Sequence, residues 1–433
     1  MTEPDKSFGP ELRRLRIEAG LSLTRLAGLL HYSKGHLSKV ETGLKRPTPE
    51  LARCCDALVG AAGDLAALVP PRPARGATSE AMAKQEMDGN EVWVISMVPD
   101  GSSWFRLVDR RQALVGGAAS MLSFGLSGHD MSSTAQQDSS LEVFRRQFDQ
   151  FRLLGQTASP AVVLPALIAQ AQTIQGVAAR SEARRQGPAL TLAARYAEYV
   201  GWMCQEAGSD EAALWWTDRA VNLAAAGDDR YLADYALVRR ALIALYRNDA
   251  AETVELSRRA QRSSVPPRIR GLAAQREAQG HALAGNYDAC LRSLDTARRL
   301  LAVAQPDSAT PVLGSANLAD PAAMITGWCL HDLGRPRAAA EVLDREVARL
   351  PPHALRAGTR YGVRRALAHA TAGEVEHACG IAGSLLGGAG VVASATIRTD
   401  LCRLARILSR FGTTRSVREL SPRLVAALHN PAA

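Results

Sequence analysis

Two lysines give the first chemical reading of this chain. Lys34 and Lys39 lie in the segment SKGHLSKVE, where a helix would turn Leu37 and Val40 inward and leave both ammonium groups outward. A lysine can donate to the O6 and N7 acceptors that guanine presents in the major groove. Ser33, Lys34, Gly35 and His36 would open that helix, at the end that meets base edges when a helix lies in the groove. Gly35, with no side chain, would permit close approach rather than read a base. Lys45 and Arg46 follow in a loop within reach of backbone phosphates. Glu41 reads as an orienting or structural group. The chain has only five lysines, Lys6, Lys34, Lys39, Lys45 and Lys84, four of them in the first 45 residues. Every other basic residue is arginine, a bias that a GC-rich genome explains. The concentration of lysine at one end needs its own reason.

The elements that must position these groups are short helices. Phe8, Leu12 and Leu15 share one face and Gly20 stops that helix; Ser22 can cap the next, whose face is Leu23, Leu26, Ala27 and Leu30. Ser33 is a second cap, and Gly43 ends the helix that follows. After the turn Arg46-Pro47-Thr48-Pro49, Leu51, Cys55 and Leu58 mark a fourth helix. Four short helices with a tight turn between the second and third describe a helix-turn-helix domain. The stretch LRRLRIEAGLSLTRLAGLLHYSKGHLSKVETGLKRPTPELARCCDAL resembles the XRE-type, phage-repressor-like DNA-binding domain over roughly residues 8 to 68. Its marks are the AGLS turn, the S-x-x-x-L-S-x-x-E-x-G helix and the R-P-x-P that follows. The resemblance implies double-stranded DNA as a partner. Members often carry Gln where Leu23 stands, to clamp a phosphate; here Thr24 or Arg25 would substitute.

Composition bounds the rest. The 433 residues are 47% hydrophobic and 22% charged, enough apolar material to exclude a fully disordered chain. At ~150 residues per domain the length suggests about three domains, or fewer with a repeat array. Aromatics are only 5%, and the richness in Ala, Leu and Arg favours helices, so an all-α fold class is expected. The net charge of +9 permits a polyanionic partner. The stretch from His377 to Ile397 is the nearest to a membrane span, but Gly383, Gly387, Gly388 and Gly390 interrupt it, and no membrane partner is expected. Seven cysteines without a CxxC read as reduced thiols in a cytoplasm. The start MTEPDKSFGPELRRLR lacks the apolar core of a secretory signal.

Residues 1–69 thus form the DNA-binding domain, and 70–140 read as a linker with partial structure, opened by Pro70-Pro71-Arg72-Pro73. Within it the segment Glu91 to Val98 reads as a short strand or a helix, and periodicity does not choose between them. Asp109-Arg110-Arg111 and the apolar run after it resemble a twin-arginine export signal, but such signals work at a free N-terminus. The bland reading, a helix docked on the next domain, is preferred.

Residues 141–433 repeat. Gly208, Asn248, Gly285, Gly334, Gly373 and Gly412 are turn residues spaced 40, 37, 49, 39 and 39 apart, intervals that suit helical hairpins. Seven residues before each lie Gly201, Ala241, Ala278, Gly327, Ala366 and Ala405; five after each lie Ala213, Thr253, Cys290, Ala339, Ala378 and Val417. All are small or modest in size, which lets paired helices pack closely. The spacing resembles the tetratricopeptide repeat and predicts a tetratricopeptide-like α-solenoid, preceded by a helix pair near 141–154 and 161–180. Arg240, Glu277 and Arg365 occupy positions where an apolar residue is usual. On the tetratricopeptide register Arg195, Glu198, Trp202, Gln205, Tyr235, Gln275, Gln279 and Trp328 would line a concave face suited to a peptide or small effector. The bland alternative packs Trp202 and Trp328 between hairpins.

The histidines are scattered, and His129-Asp130 and His331-Asp332 lack further metal ligands. With no G-x-S-x-G, phosphate loop or dinucleotide fingerprint, no enzyme, metal or cofactor is expected. The two halves together resemble the peptide-responsive regulators of Gram-positive bacteria, and more closely the XRE–tetratricopeptide regulators of actinobacteria, often tied to antibiotic production and sporulation. The expectation is a homodimeric transcriptional regulator. The alternative is a scaffold whose array recruits a protein partner to DNA.

Overall fold

Local capping and spacing account for the N-terminal helices. In the computed structural model, which describes residues 7–69, 91–97, 103–109, 134–262, 264–304, 312–314 and 317–429, they are α1 (Phe8–Glu18), α2 (Leu23–Leu30), α3 (Lys34–Glu41), α4 (Pro49–Val59) and α5 (Asp64–Ala67). Ser22 Oγ accepts from the Arg25 amide at 3.0 Å and Ser33 Oγ from the His36 amide at 3.2 Å, the two expected caps, each worth about 1 kcal/mol. Between α2 and α3 the chain reverses at His31, whose φ of 54° costs a non-glycine residue about 1 kcal/mol. Phe8, Leu12, Leu26, Leu37, Val40, Leu51 and Cys55 form the core. Leu58 is exposed instead: the inward stripe of α4 runs through Leu51, Ala52, Cys55 and Asp56, and Leu58 falls off its edge.

A hairpin follows. β1 (Glu91–Met97) pairs antiparallel with β2 (Ser103–Asp109), Ile95 opposite Phe105, so the ambiguous segment is a strand over its described residues, 91–97. The arginines of the export-like motif lie outside the described residues, as do His129 and Asp130. Apart from this hairpin the described elements are helical, and the fold class is all-α.

The remaining helices form successive antiparallel pairs: α6 (Thr134–Thr157) and α7 (Pro160–Arg180), α8 (Ala183–Glu206) and α9 (Asp210–Ala226), α10 (Leu232–Tyr246) and α11 (Ala250–Arg259), α12 (Pro267–Ala284) and α13 (Tyr287–Ala302), α14 (Pro321–Asp332) and α15 (Pro336–Ala348), α16 (Leu355–Ala372) and α17 (Val375–Val392), α18 (Ala395–Leu408) and α19 (Arg415–His429). The anchor residues sit where the turns need them. Gly208, Asn248, Gly285, Gly334 and Gly373 all have positive φ, a region that glycine enters freely and asparagine tolerates. Gly412 departs from the pattern with φ −59°, because a 3-10 turn, Ser409–Phe411, joins the last pair. The small positions are buried, Ala405 only partly. A Cβ on Gly201 would lie 3.2 Å from the Ala213 carbonyl, its expected partner. α7 and α17 are long and apolar enough to cross a bilayer by length and composition alone, and their buried residues pack into the array's cores.

The three charged departures from the repeat pattern keep its register. Arg240 pairs with Asp218, Arg365 with Asp344, and Glu277 with Arg258 at 3.0 Å. Each joins the position eight residues before one anchor to the position ten residues after the previous anchor. The array bends until its ends meet. Glu206, at the end of α8, receives Arg356 at 3.0 Å and also Arg360, both from α16. Ser394 donates to it at 2.7 Å. Burial alone would raise the Glu206 carboxyl, but Arg360, Arg356 and Ser394 hold it down at about 2.

Candidate nucleic-acid interface and array cavity

The outward face of α3 is basic and open. Ser33, Lys34, Gly35, Lys39, Lys45 and Arg46 are exposed, as are Thr24 and Arg25 at the start of α2. Leu37, Val40 and Glu41 are buried. Glu41 is structural: its carboxylate accepts from Arg16 Nε at 2.6 Å and Nη2 at 3.1 Å, while Arg16 Nη1 reaches the Leu21 carbonyl at 2.8 Å. This pair ties α1 to α3 and fixes the angle of the exposed face. His36 is less free than its neighbours. Its ring lies 4.9 Å from that of Tyr32, and Nδ1 is 3.4 Å from Lys45 Nζ. Burial, then Lys45, Arg410 and Lys39, push its pKa down, so it faces the surface as a neutral imidazole at pH 7. Leu23, where a glutamine is usual, is partly buried against the domain core.

The domain is docked on the array's turns. Arg53 of α4 is buried; its Nε donates to the Asp332 carbonyl and its Nη1 to that of Leu283 at 3.1 Å. These are carbonyls of the last turns of α14 and α12, which have no partner within their helices. Three anchor glycines meet the domain directly. A Cβ on Gly285 would come within 2.9 Å of Ala66, on Gly334 within 2.7 Å of the Arg53 carbonyl, and on Gly373 within 2.3 Å of the His31 ring. Arg410 covers the Tyr32 ring at 4.1 Å, and His31 packs on Phe411 with centroids 5.7 Å apart. Asp56 secures the α5 turn by accepting from the amides of Gly63, Leu65 and Ala66.

Inside the bend lies a cavity of about 370 Å³. Of the eight array residues singled out from the sequence, Glu198, Trp202 and Tyr235 line it, and Gln275 lines a smaller neighbouring cavity. The other four are packed between helices. Arg195 pairs with Asp229 at 2.9 Å, Gln205 accepts from Arg239 at 3.2 Å, and Gln279 accepts from Arg276. Trp328 Nε1 donates to Asp332 at 3.0 Å beneath Arg364, whose guanidinium stands 3.5 Å from the ring. The cavity face is wider than the expected stripe. Tyr199, Arg239 and Arg276, each nine residues before an anchor, line the cavity as well, while Gln205 and Gln279 do not. The missed signal is the recurrence of arginine at that position.

Elsewhere, His331 lies 3.3 Å from Asp332 and 3.3 Å from Thr371 Oγ1, contacts of a packed residue. Asp344, His369 and His377 bring ligand atoms within 4.8 Å of one another. His369 there already meets Glu374 at 2.6 Å through Nδ1 and Asp344 at 3.0 Å through Nε2. Cys55, Cys204, Cys290, Cys329 and Cys379 are buried free thiols, Cys54 is partly buried, and Cys402 is exposed.

A family model described as a helix-turn-helix domain matches residues 7–69. No curated protein and no solved structure matches the chain. The N-terminal module is a helix-turn-helix domain.

Proposed function

We propose that this chain is a sequence-specific transcriptional regulator of the XRE type. Its tetratricopeptide-like array dimerises the protein in the cytoplasm and senses a peptide or small effector, in control of actinobacterial secondary metabolism or development. The observation that carries the reading is the face of α3: Lys34, Gly35 and Lys39 in solvent, with Leu37, Val40 and Glu41 buried behind them. A domain of this size covers about half an operator, so two copies on an inverted repeat supply specific affinity. The docking supports a sensing role. α12 carries Arg276 into the cavity and ends at Gly285 against Ala66; α16 carries Arg360 and ends at Gly373 against His31. An effector that prefers one arrangement of these helices shifts the spacing of two recognition helices across a dimer.

The test is selection of genomic DNA fragments by the purified full-length protein, with K34A/K39A as control. The expected result is a few fragments sharing an inverted repeat, lost in the variant. Sequence-blind binding by both proteins, abolished by about 200 mM salt, or a protein monomeric both free and on its DNA, overturns the reading.

A further inference from the structure

The cavity's arginines differ in how their charge is met. Arg356 is fully engaged, by Glu206 at 3.0 Å and by the carbonyls of Gly155 and Ala158 at 2.6 Å each. Arg360 shares the same Glu206 and also donates to Thr396 at 2.8 Å. Arg239 lies 3.4 Å from Glu198. Arg276 has no carboxylate: among the described residues its polar partner is the neutral Gln279 amide, and its Nε, like those of Arg239 and Arg360, is buried without a hydrogen-bond acceptor. Tyr235 and Tyr361 line the same two cavities beside it, and the charges of Arg239 and, in the smaller cavity, Arg268 have the same sign. Burial pushes the Arg276 guanidinium down from its ordinary value, and among the described residues no carboxylate pairs with it. A buried cation left uncompensated is unfavourable, and a buried donor without an acceptor adds to the cost.

Arg276 shares its place with Arg239. It stands where the larger cavity meets the smaller one of about 60 Å³ and lines both. Gln275 Nε2, on the same helix and lining the smaller cavity, is likewise buried without an acceptor. Elsewhere the wall of the larger cavity carries Phe148, Tyr199 and Trp202, and with them the charged Asp149, Arg152 and Glu198. A site of this volume, with aromatic side chains and convergent guanidinium donors in one wall, suits a small molecule.

We infer that the array cavity binds a small organic anion, one negatively charged group on an aromatic or apolar body, with Arg276 as its counter-ion. The inference rests on reading this cavity as the effector site. A bidentate guanidinium–anion pair would neutralise Arg276 and give its Nε an acceptor, while the body fills the aromatic end.

The test compares two fluorescent probes that share an aromatic body: 1-anilinonaphthalene-8-sulfonate, an anion, and N-phenyl-1-naphthylamine, which lacks the sulfonate. Both are titrated into the full-length protein, Arg276→Met, Arg276→Lys and Ala357→Trp, the last filling the cavity. Saturable binding of the sulfonate, at least tenfold weaker in Arg276→Met and within threefold in Arg276→Lys, with the neutral probe changed less than twofold, is expected. Ala357→Trp then weakens both probes. The thermal midpoint of ligand-free Arg276→Met stays level or rises, since the change removes an unmatched charge. Should that variant fail to fold, Arg276→Gln takes its place. If Arg276 variants bind the sulfonate as tightly as the parent while Ala357→Trp loses both probes, the anion site is overturned and the effector cavity stands. If Ala357→Trp changes neither probe, both are overturned.

Discussion

The face of α3 and the wall of the array cavity both collect cations, and they treat them in opposite ways. Lys34, Lys39 and Lys45 lie in solvent with no carboxylate on them among the described ion pairs, where a charge is cheap to hold and screened by salt. Arg356, Arg360 and Arg364 are withdrawn from solvent and matched to Glu206 and Asp400, where a charge is tolerable only with a partner. Exposed unpaired charge suits a polyanion met from outside, and buried paired charge suits holding an architecture. Arg276 stands between the two, partly buried in the cavity wall and, among the described residues, without a carboxylate.

The largest effect is expected at Glu206. Glu206→Gln leaves Arg356 and Arg360 buried without their carboxylate and should destabilise the protein by about 3–5 kcal/mol, read from urea unfolding followed by circular dichroism. Its pKa of about 2 lies below the ordinary glutamate value. The stabilisation it provides is therefore complete above about pH 4.5 and is lost as pH falls toward 2. Stability should decline across that window in the parent and decline less in Glu206→Gln. Equal slopes would show that the array's ends do not depend on this charge.

Next comes the docking of the DNA-binding domain. Gly334→Ala places a methyl group against the Arg53 backbone at a residue with φ 75°, and a loss of about 1–3 kcal/mol is expected. If the docking sets the geometry of the recognition helices, DNA affinity should change in Gly334→Ala and stay unchanged in Glu206→Gln at temperatures where both are folded. The smallest effect belongs to the partly exposed pairs. Arg240→Gln should cost less than about 1 kcal/mol, and a larger loss in thermal melting would mean that the repeating charge register holds the hairpins together.

What the sequence revealed divides along the same line. The caps Ser22 and Ser33, the inward Leu37 and Val40, and the anchors from Gly208 to Gly373 were legible because each answers a local need: an orphan amide, a helical face, a left-handed turn. The inner face was legible only in part: Glu198, Trp202 and Tyr235 line the cavity, while Tyr199, Arg239 and Arg276 were missed because which neighbours also face inward depends on the array's bend. That bend is closed by Glu206 reaching residues 150 or more positions away. Arg53 was invisible for the same reason. Its partners are backbone carbonyls more than 200 positions away, and a carbonyl leaves no trace in the type of its residue. Leu58 shows the limit of periodicity at a helix end, where the stripe runs out.

The most direct measurement is the affinity of the parent and of K34A/K39A for an enriched operator and for a scrambled duplex, by fluorescence anisotropy at fixed salt. Hydrogen bonding from a side chain to a base edge is worth about 1–3 kcal/mol of discrimination. The double variant should therefore bind the operator at least tenfold more weakly, while its affinity for the scrambled duplex falls far less. Equal weakening on the two duplexes, or none on either, would contradict base reading by α3.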